Sequence, residues 1–248
     1  MNLTYNKLKP GLYCVSTPIG NMGDISFRAI KILQESDLIL CEDTRVTKKI
    51  LQKFEISKKL ISNHKFNENK NLEKVIELLK NKKIISLVSD AGTPTISDPG
   101  RILIKECIKN KIDIFPVLGA SAVIASVSIS GFSDNFYFCG FLPEKQNQVK
   151  KLFKNLVSLD GSIVFFISPN KLAKRIDDIK EFFFNRDIII CREITKFHEE
   201  YIRTSVKELS NVNFSRKGEI TVVISEVNKS RLSFKELEES DKKKINKL

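Results

Sequence analysis

A chain of 248 residues with 42% hydrophobic content can bury one large core or two smaller ones, as a soluble globular protein does. Its 42 Lys and Arg against 30 Asp and Glu give a net charge of +12, which either attracts a polyanion such as RNA or reflects a biased nucleotide composition that filled tolerant surface positions. No charged start leading into an apolar signal region occupies residues 1–10, so secretion is not expected, and five singly spaced cysteines with only two histidines point to neither a disulfide framework nor a structural zinc site, so free thiols of a cytoplasmic protein are expected at Cys14, Cys41, Cys107, Cys139 and Cys191.

Short runs rich in Ile, Val, Leu and Phe alternate with stretches of helical period, the pattern of βα units around a largely parallel sheet. A strand over 12–16 opens the series. It is followed by a helix with Ile25, Ala29, Ile32 and Leu33 on one face, a strand over 38–41 and a helix from about Thr44. A weak strand over 59–62 precedes a helix marked by Leu72, Val75, Ile76 and Leu79, then the apolar strand 84–88. Beyond residue 100 the spacing predicts a helix over 102–108, a strand over 112–117 and a helix rich in small residues over 119–130.

A second half then carries strands at 136–141, 162–167, 187–192 and 219–227, some of them antiparallel, around helices at 146–158 and 172–184. The uncharged stretch 114–133 approaches membrane-spanning length, but its Pro116, Gly119, Gly131 and serines fit a buried strand and helix. Domains are accordingly expected over 1–117 and 118–228. Residues 229–248 are highly charged and read as a flexible tail.

In parallel α/β sheets ligands bind beyond the carboxyl ends of the strands. Three loops fall there: TPIGN at 17–21, EDTR at 42–45 and SDAGTPTISDPG at 89–100. The third has two glycines for close backbone approach and two prolines that stiffen the path between them. Neither the GxGxxG fingerprint nor a Walker loop follows the first strand, which disfavours ordinary NAD or ATP binding.

These loops, with PVLGASA at 116–122, GFLPEK at 140–145, REITK at 192–196, Glu199-Glu200 and KGEI at 217–220, resemble in order and spacing the ribosomal RNA small-subunit methyltransferases of the tetrapyrrole methylase superfamily. The resemblance spans nearly all of the chain to about residue 227. It implies two α/β domains, with a parallel sheet in the first and a mixed sheet in the second, in a homodimeric enzyme. It also implies methyl transfer from S-adenosyl-L-methionine to the ribose 2′-oxygen of a decoding-centre cytidine in 16S rRNA, with neither metal nor membrane involved. Cofactor residues implied by it are Pro18, Gly20, Asp90, Ala91, Gly92, Thr93, Pro94, Ser121 and Ala122, lining a cleft between the domains.

Transfer from a sulfonium demands positioning and a base for the hydroxyl proton. Glu42, Asp43, His64, Asp98 and Glu199 are the candidate groups, with Arg45 as a phosphate or carboxylate partner. The chain also departs from the family pattern. Leu118 and Ala120 stand in place of two prolines, Ile167 in place of a glutamate, Asn170-Lys171 in place of a His-Arg pair, Val46 and Phe66 in place of histidines, and Thr204 in place of a glycine. A small-molecule tetrapyrrole methylase and a non-catalytic RNA-binding or assembly factor that retains the fold are therefore the alternatives.

Overall fold

The computed structural model describes residues 7–227, so the expected tail at 229–248 lies outside the described residues. The chain divides into two compact units between Ala122 and Val123. The α/β class and the contrast between the two sheets are as expected.

In the first unit, β1 (Gly11–Val15), β2 (Leu38–Cys41), β3 (Leu60–Ser62), β4 (Ile84–Val88) and β5 (Ile114–Val117) form one sheet in the order β3-β2-β4-β1-β5. Every pairing in it is parallel. Alternate residues therefore serve two cores. Tyr13, Val15, Ile39 and Cys41 pack with Ala29, Ile32 and Leu33 of α1 (Phe27–Glu35) and Leu51 of α2 (Thr44–Lys53). Leu12, Leu38, Leu40 and Leu87 pack with Val75 and Leu79 of α3 (Glu68–Lys80) and Leu103 and Cys107 of α4 (Arg101–Lys109). Covered on both faces, β2 and β4 need continuous apolar runs, LILC and IISLV. Because all five strands run the same way, the loops that follow them gather along one edge.

The boundary falls after the first residue of α5 (Ala122–Ser130), and the second unit continues through β6 (Phe136–Phe141), α6 (Gln146–Leu156), β7 (Ser162–Ile167), α7 (Pro169–Phe183), β8 (Asp187–Arg192), β9 (Glu200–Ser205) and β10 (Ile220–Ile224). Its sheet has the order β6-β7-β10-β8-β9, parallel only between β6 and β7. Val149 and Phe153 of α6 and Leu172, Ile179 and Phe183 of α7 pack on Ile163, Phe165, Ile190 and Val222. Beneath this core lies Arg186, 3% exposed, whose guanidinium donates to the carbonyls of Val157 (2.7 Å) and Ser225 (3.0 Å). Burial pulls its pKa down to about 10.

Several boundaries differ from the sequence expectation. The helix expected over 119–130 starts only at Ala122, because Gly119 packs against the end of β1 and Ala120 accepts a hydrogen bond from Thr93. The helix expected from 172 starts at Pro169, where proline lacks only a donor that the first turn would leave unused. Strand β9 was not expected at all. Its sequence EYIRTS alternates half-buried and exposed positions at the sheet edge, so it has no apolar run to announce it. The stretch 114–133 resolves into β5, a loop and a nine-residue α5, and no helix among the described residues is long and apolar enough to cross a membrane. All five cysteines are free; Cys41, Cys107 and Cys191 are buried, whereas Cys14 and Cys139 are half-buried.

Candidate functional site

The loops after β1 and β4 are joined directly. Thr17 and Gly92 form an antiparallel bridge, with Thr17 N–H donating to Gly92 O (2.9 Å) and Gly92 N–H donating back to Thr17 O (3.1 Å). The Ser16 and Thr93 hydroxyls share a 2.9 Å hydrogen bond, and Thr93 Oγ1 donates on to Ala120 O at 3.2 Å. Gly92 adopts φ +82°, and a Cβ there would lie 3.3 Å from Ile19 Cγ2 and 3.6 Å from Ala120 O. The segments around Pro18–Gly20 and Asp90–Pro94, expected to hold cofactor, thus meet through named bonds or close contacts near Gly92, and Ala120, next to the expected Ser121 and Ala122, joins them there.

The segment 118–120 lacks the expected prolines but is held by other means. Ser26 Oγ donates to Leu118 O (3.2 Å), Arg28 donates to Pro116 O (3.1 Å), and Gly119 approaches so closely that a Cβ would sit 2.8 Å from Ser16 Cβ. Hydrogen bonds and packing fix here what φ restriction would fix in a proline-containing chain.

Beside this bridge lies a group of carboxylates. Glu42 and Asp43 follow β2; Asp90 and Asp98 belong to the loop after β4. Asp43 N–H donates to Asp90 Oδ1 at 2.9 Å, linking the two loops. Burial, then the negative charge of Glu42, pushes the Asp98 carboxyl up to about 6, while a hydrogen bond from Ser89 pulls the other way. Glu42 and Asp90 are also raised, each chiefly by desolvation and then by its carboxylate neighbours and, for Asp90, against the Asp43 amide. Asp43 goes the opposite way, down to about 2, because Arg45 grips it through the side chain (Nη2 to Oδ2, 2.6 Å) and through the backbone amide (2.8 Å) as the cap of α2. Arg45 is therefore engaged with Asp43.

His64 follows β3, which pairs with β2 at the same edge. Its Nδ1 accepts the Phe66 N–H (3.2 Å), which leaves the ring proton on Nε2. Asn63, 3% exposed, has a side-chain Nδ2 with no hydrogen-bond partner among the described residues. Glu199 belongs to the second unit, in the loop before β9. There its Oε2 accepts from the Thr195 amide (2.9 Å) and the Tyr201 hydroxyl (3.1 Å).

One residue that sequence reasoning did not single out fixes the far end of the main loop. Glu68 begins α3, is 6% exposed, and its Oε1 accepts the backbone N–H groups of Gly100 and Ile102, both at 3.0 Å. A buried carboxylate thus caps α4 from a neighbouring helix, which no local capping pattern reveals. Gly100 itself has φ +119°, and a Cβ would stand 2.6 Å from Leu87 Cδ2. Glu68→Ala leaves both amides unsatisfied and is expected to cost about 3 kcal/mol of stability, with Glu68→Gln recovering part of it. Urea titration of the three proteins checks this; equal midpoints for Glu68→Ala and the parent protein would refute it.

Among the described residues no group of three or more His, Cys, Asp or Glu is arranged to hold a metal ion. The arrangement offers backbone amides and carbonyls, a hydroxyl pair and a cluster of carboxylates, three of which, Glu42, Asp90 and Asp98, are raised from the ordinary carboxylate value. Such a set suits a small cationic ligand and can accept a proton.

Comparison with known proteins agrees with this geometry. Residues 11–210 match the model of the Tetrapyrrole (Corrin/Porphyrin) Methylases. A Thermotoga maritima protein named ribosomal RNA small subunit methyltransferase I is 45% identical over 218 residues, covering 86% of this chain and 97% of its own. Among solved structures, a diphthine synthase superposes with a TM-score of 0.67 at 16% identity, covering 86% of this chain and 89% of its own. A uroporphyrin-III C-methyltransferase from Thermus thermophilus, complexed with S-adenyl homocysteine, superposes with a TM-score of 0.61 at 11% identity over 87% of this chain and 97% of its own. The family match over most of the chain and the 45% identity agree, and the chain belongs to the tetrapyrrole methylase family.

Proposed function

We propose that this chain is a cytoplasmic S-adenosylmethionine-dependent methyltransferase acting on the ribose 2′-hydroxyl of a cytidine in 16S rRNA. The observation that carries the reading is the carboxylate cluster of Glu42, Asp90 and Asp98, set beside a bridged glycine loop in a chain 45% identical to a protein named for ribosomal RNA methylation. The residues present fit the cofactor: Gly92 is a backbone position whose Cβ would intrude, and the carboxylates complement a cation.

Bound there, S-adenosylmethionine supplies an electrophilic methyl group on a positively charged sulfur. Gly92, Thr93 and the 118–120 segment form the backbone wall that holds it, fixed by the Thr17–Gly92 bridge and the Ser16–Thr93–Ala120 chain of hydrogen bonds. Pro18, Gly20, Asp90, Ala91, Pro94, Ser121 and Ala122 belong to the same three segments. Asp98 would take the proton of the ribose 2′-hydroxyl, which turns that oxygen into the nucleophile for the methyl group. Its desolvated carboxyl keeps appreciable basicity yet is ionised at neutral pH, whereas Asp43 is too weak a base and His64 presents a donor. Glu42 shares the negative field that holds Asp98 up.

The net charge of +12 suits an RNA partner, so binding weakens as salt rises. Edge strand β6 leaves Phe136, Tyr137 and Phe141 38%, 53% and 65% exposed, which supports the homodimeric reading. Mass spectrometry of 16S rRNA nucleosides tests the function. The expected result is loss of one 2′-O-methylcytidine in a deletion strain and its return with the purified enzyme and S-adenosylmethionine. Persistence of that methyl in the deletion strain would overturn the assignment.

A further inference from the structure

Phe66 is 93% exposed. Three hydrogen bonds hold the turn that bears it. His64 N–H donates to Asn67 Oδ1 (2.7 Å), Phe66 N–H donates to His64 Nδ1 (3.2 Å), and Asn67 Nδ2 donates to Ser62 O (3.2 Å). The Phe66 ring rests edge-on against His64, with centroids 6.1 Å apart and planes at 64°. A rigid turn thus offers an aromatic face to solvent at a cost in hydration that folding alone does not require.

Its location gives that face a use. Strand β3 pairs in parallel with β2, placing Ser62 opposite Cys41, and Ser62 Oγ donates to Glu42 O at 3.2 Å. His64 lies two residues beyond Ser62, at the same edge as Glu42. On the other side Glu68, two residues beyond Phe66, holds Gly100 at the end of the loop that carries Asp98. Lys65 is exposed next to the ring, and α2, which starts at the same edge and packs on β3, exposes Lys48 and Lys49. An exposed aromatic on a hydrogen-bonded turn, with a lysine next to it and further lysines exposed on the neighbouring helix, is how proteins take an unpaired nucleobase, the ring stacking and the cations following the phosphates.

We infer that Phe66, seated on His64, is the stacking platform for an unpaired base of the RNA substrate, holding the nucleotide at the edge where Asp98 and Glu42 stand. The inference rests on the RNA-methyltransferase reading above and adds the subsite by which the substrate is held. Phe66 is a positioning residue: it orients the base and takes no part in the proton transfer.

The test uses the full chain with 16S-derived RNA and S-adenosylmethionine, comparing Phe66→Ala, Phe66→Leu and Phe66→Trp. Stacking predicts a rise in KM for RNA of about tenfold or more in Phe66→Ala and in Phe66→Leu, unchanged kcat and unchanged S-adenosylmethionine affinity, and recovery in Phe66→Trp. A 2-aminopurine placed at or beside the target nucleotide should be quenched by the parent protein and by Phe66→Trp but not by Phe66→Leu. Parent-like KM in Phe66→Ala would overturn the platform while leaving the enzyme reading intact. Parent-like behaviour of Phe66→Leu alone would overturn it in favour of a general apolar contact, such as one to a protein. If the parent protein fails to methylate the RNA, the functional reading falls and the platform with it. Because the ring is exposed, loss of fold is not expected in these variants, and thermal melting checks that directly.

Discussion

Asp98→Asn is expected to lower kcat about 10²- to 10⁴-fold while leaving S-adenosylmethionine affinity within a few-fold of the parent protein, the signature of a lost general base. In the parent protein kcat should rise as pH passes through about 6, where the Asp98 carboxyl ionises, and level off above it. The variant should lose that limb. The stability of the fold should respond in the opposite direction. Asp98 has a folded-state pKa raised above the ordinary carboxylate value, so between about 4 and 6 the fold retains a proton that the unfolded chain has released. Its contribution therefore favours the fold at low pH and is lost as pH rises through about 6. At pH 8 Asp98→Asn should melt at the same temperature as the parent protein or higher, and at pH 4 the advantage should vanish. A variant with undiminished turnover would move the base to Glu42, a raised carboxyl whose charge acts more strongly on Asp98 than that of Asp90.

Gly92→Val is expected to abolish tight cofactor binding. At φ +82° a β-branched residue is strained by about 1–3 kcal/mol, and its Cβ would press on Ile19 Cγ2 at 3.3 Å. Relief requires a backbone shift that breaks the Thr17–Gly92 bridge and with it the alignment of the two loops. Calorimetry with S-adenosylmethionine should show at least a tenfold loss of affinity in a protein that keeps its far-ultraviolet circular dichroism. Normal affinity in such a protein would remove this loop from the cofactor wall. Together the two substitutions separate binding from chemistry, since one should lose affinity and the other turnover.

The apolar runs and the helical spacing made the fold class legible because both report burial directly. LILC and IISLV are too short for buried helices and fit strands covered on both faces, and Ala29, Ile32 and Leu33 recur at helical spacing on one apolar face. Strand β9 was illegible because an edge strand buries half its surface and needs no apolar run. The start of α5 was misread because the sequence shows small residues but not what they touch. Gly119 and Ala120 remain outside the helix only because Ser16 and Thr93, some 100 and 27 residues away in the chain, claim their backbone.

The same division runs through the site. Sequence alone determined which loops could hold a ligand, since glycine, proline and aspartate at strand ends carry their backbone consequences with them, and since the order of TPIGN, EDTR and SDAGTPTISDPG resembled one family. Only tertiary structure decided what each carboxylate can do. Asp43 and Asp98 are the same residue type in neighbouring loops, yet one is held near 2 by Arg45 and the other near 6 by burial and by Glu42. Glu68 was one acidic residue among many until the fold placed it under the amides of Gly100 and Ile102. A side chain's type sets which protons and bonds it can exchange, but its pKa and its partners depend on the charges and solvent around it, and those are assembled by residues distant in the chain.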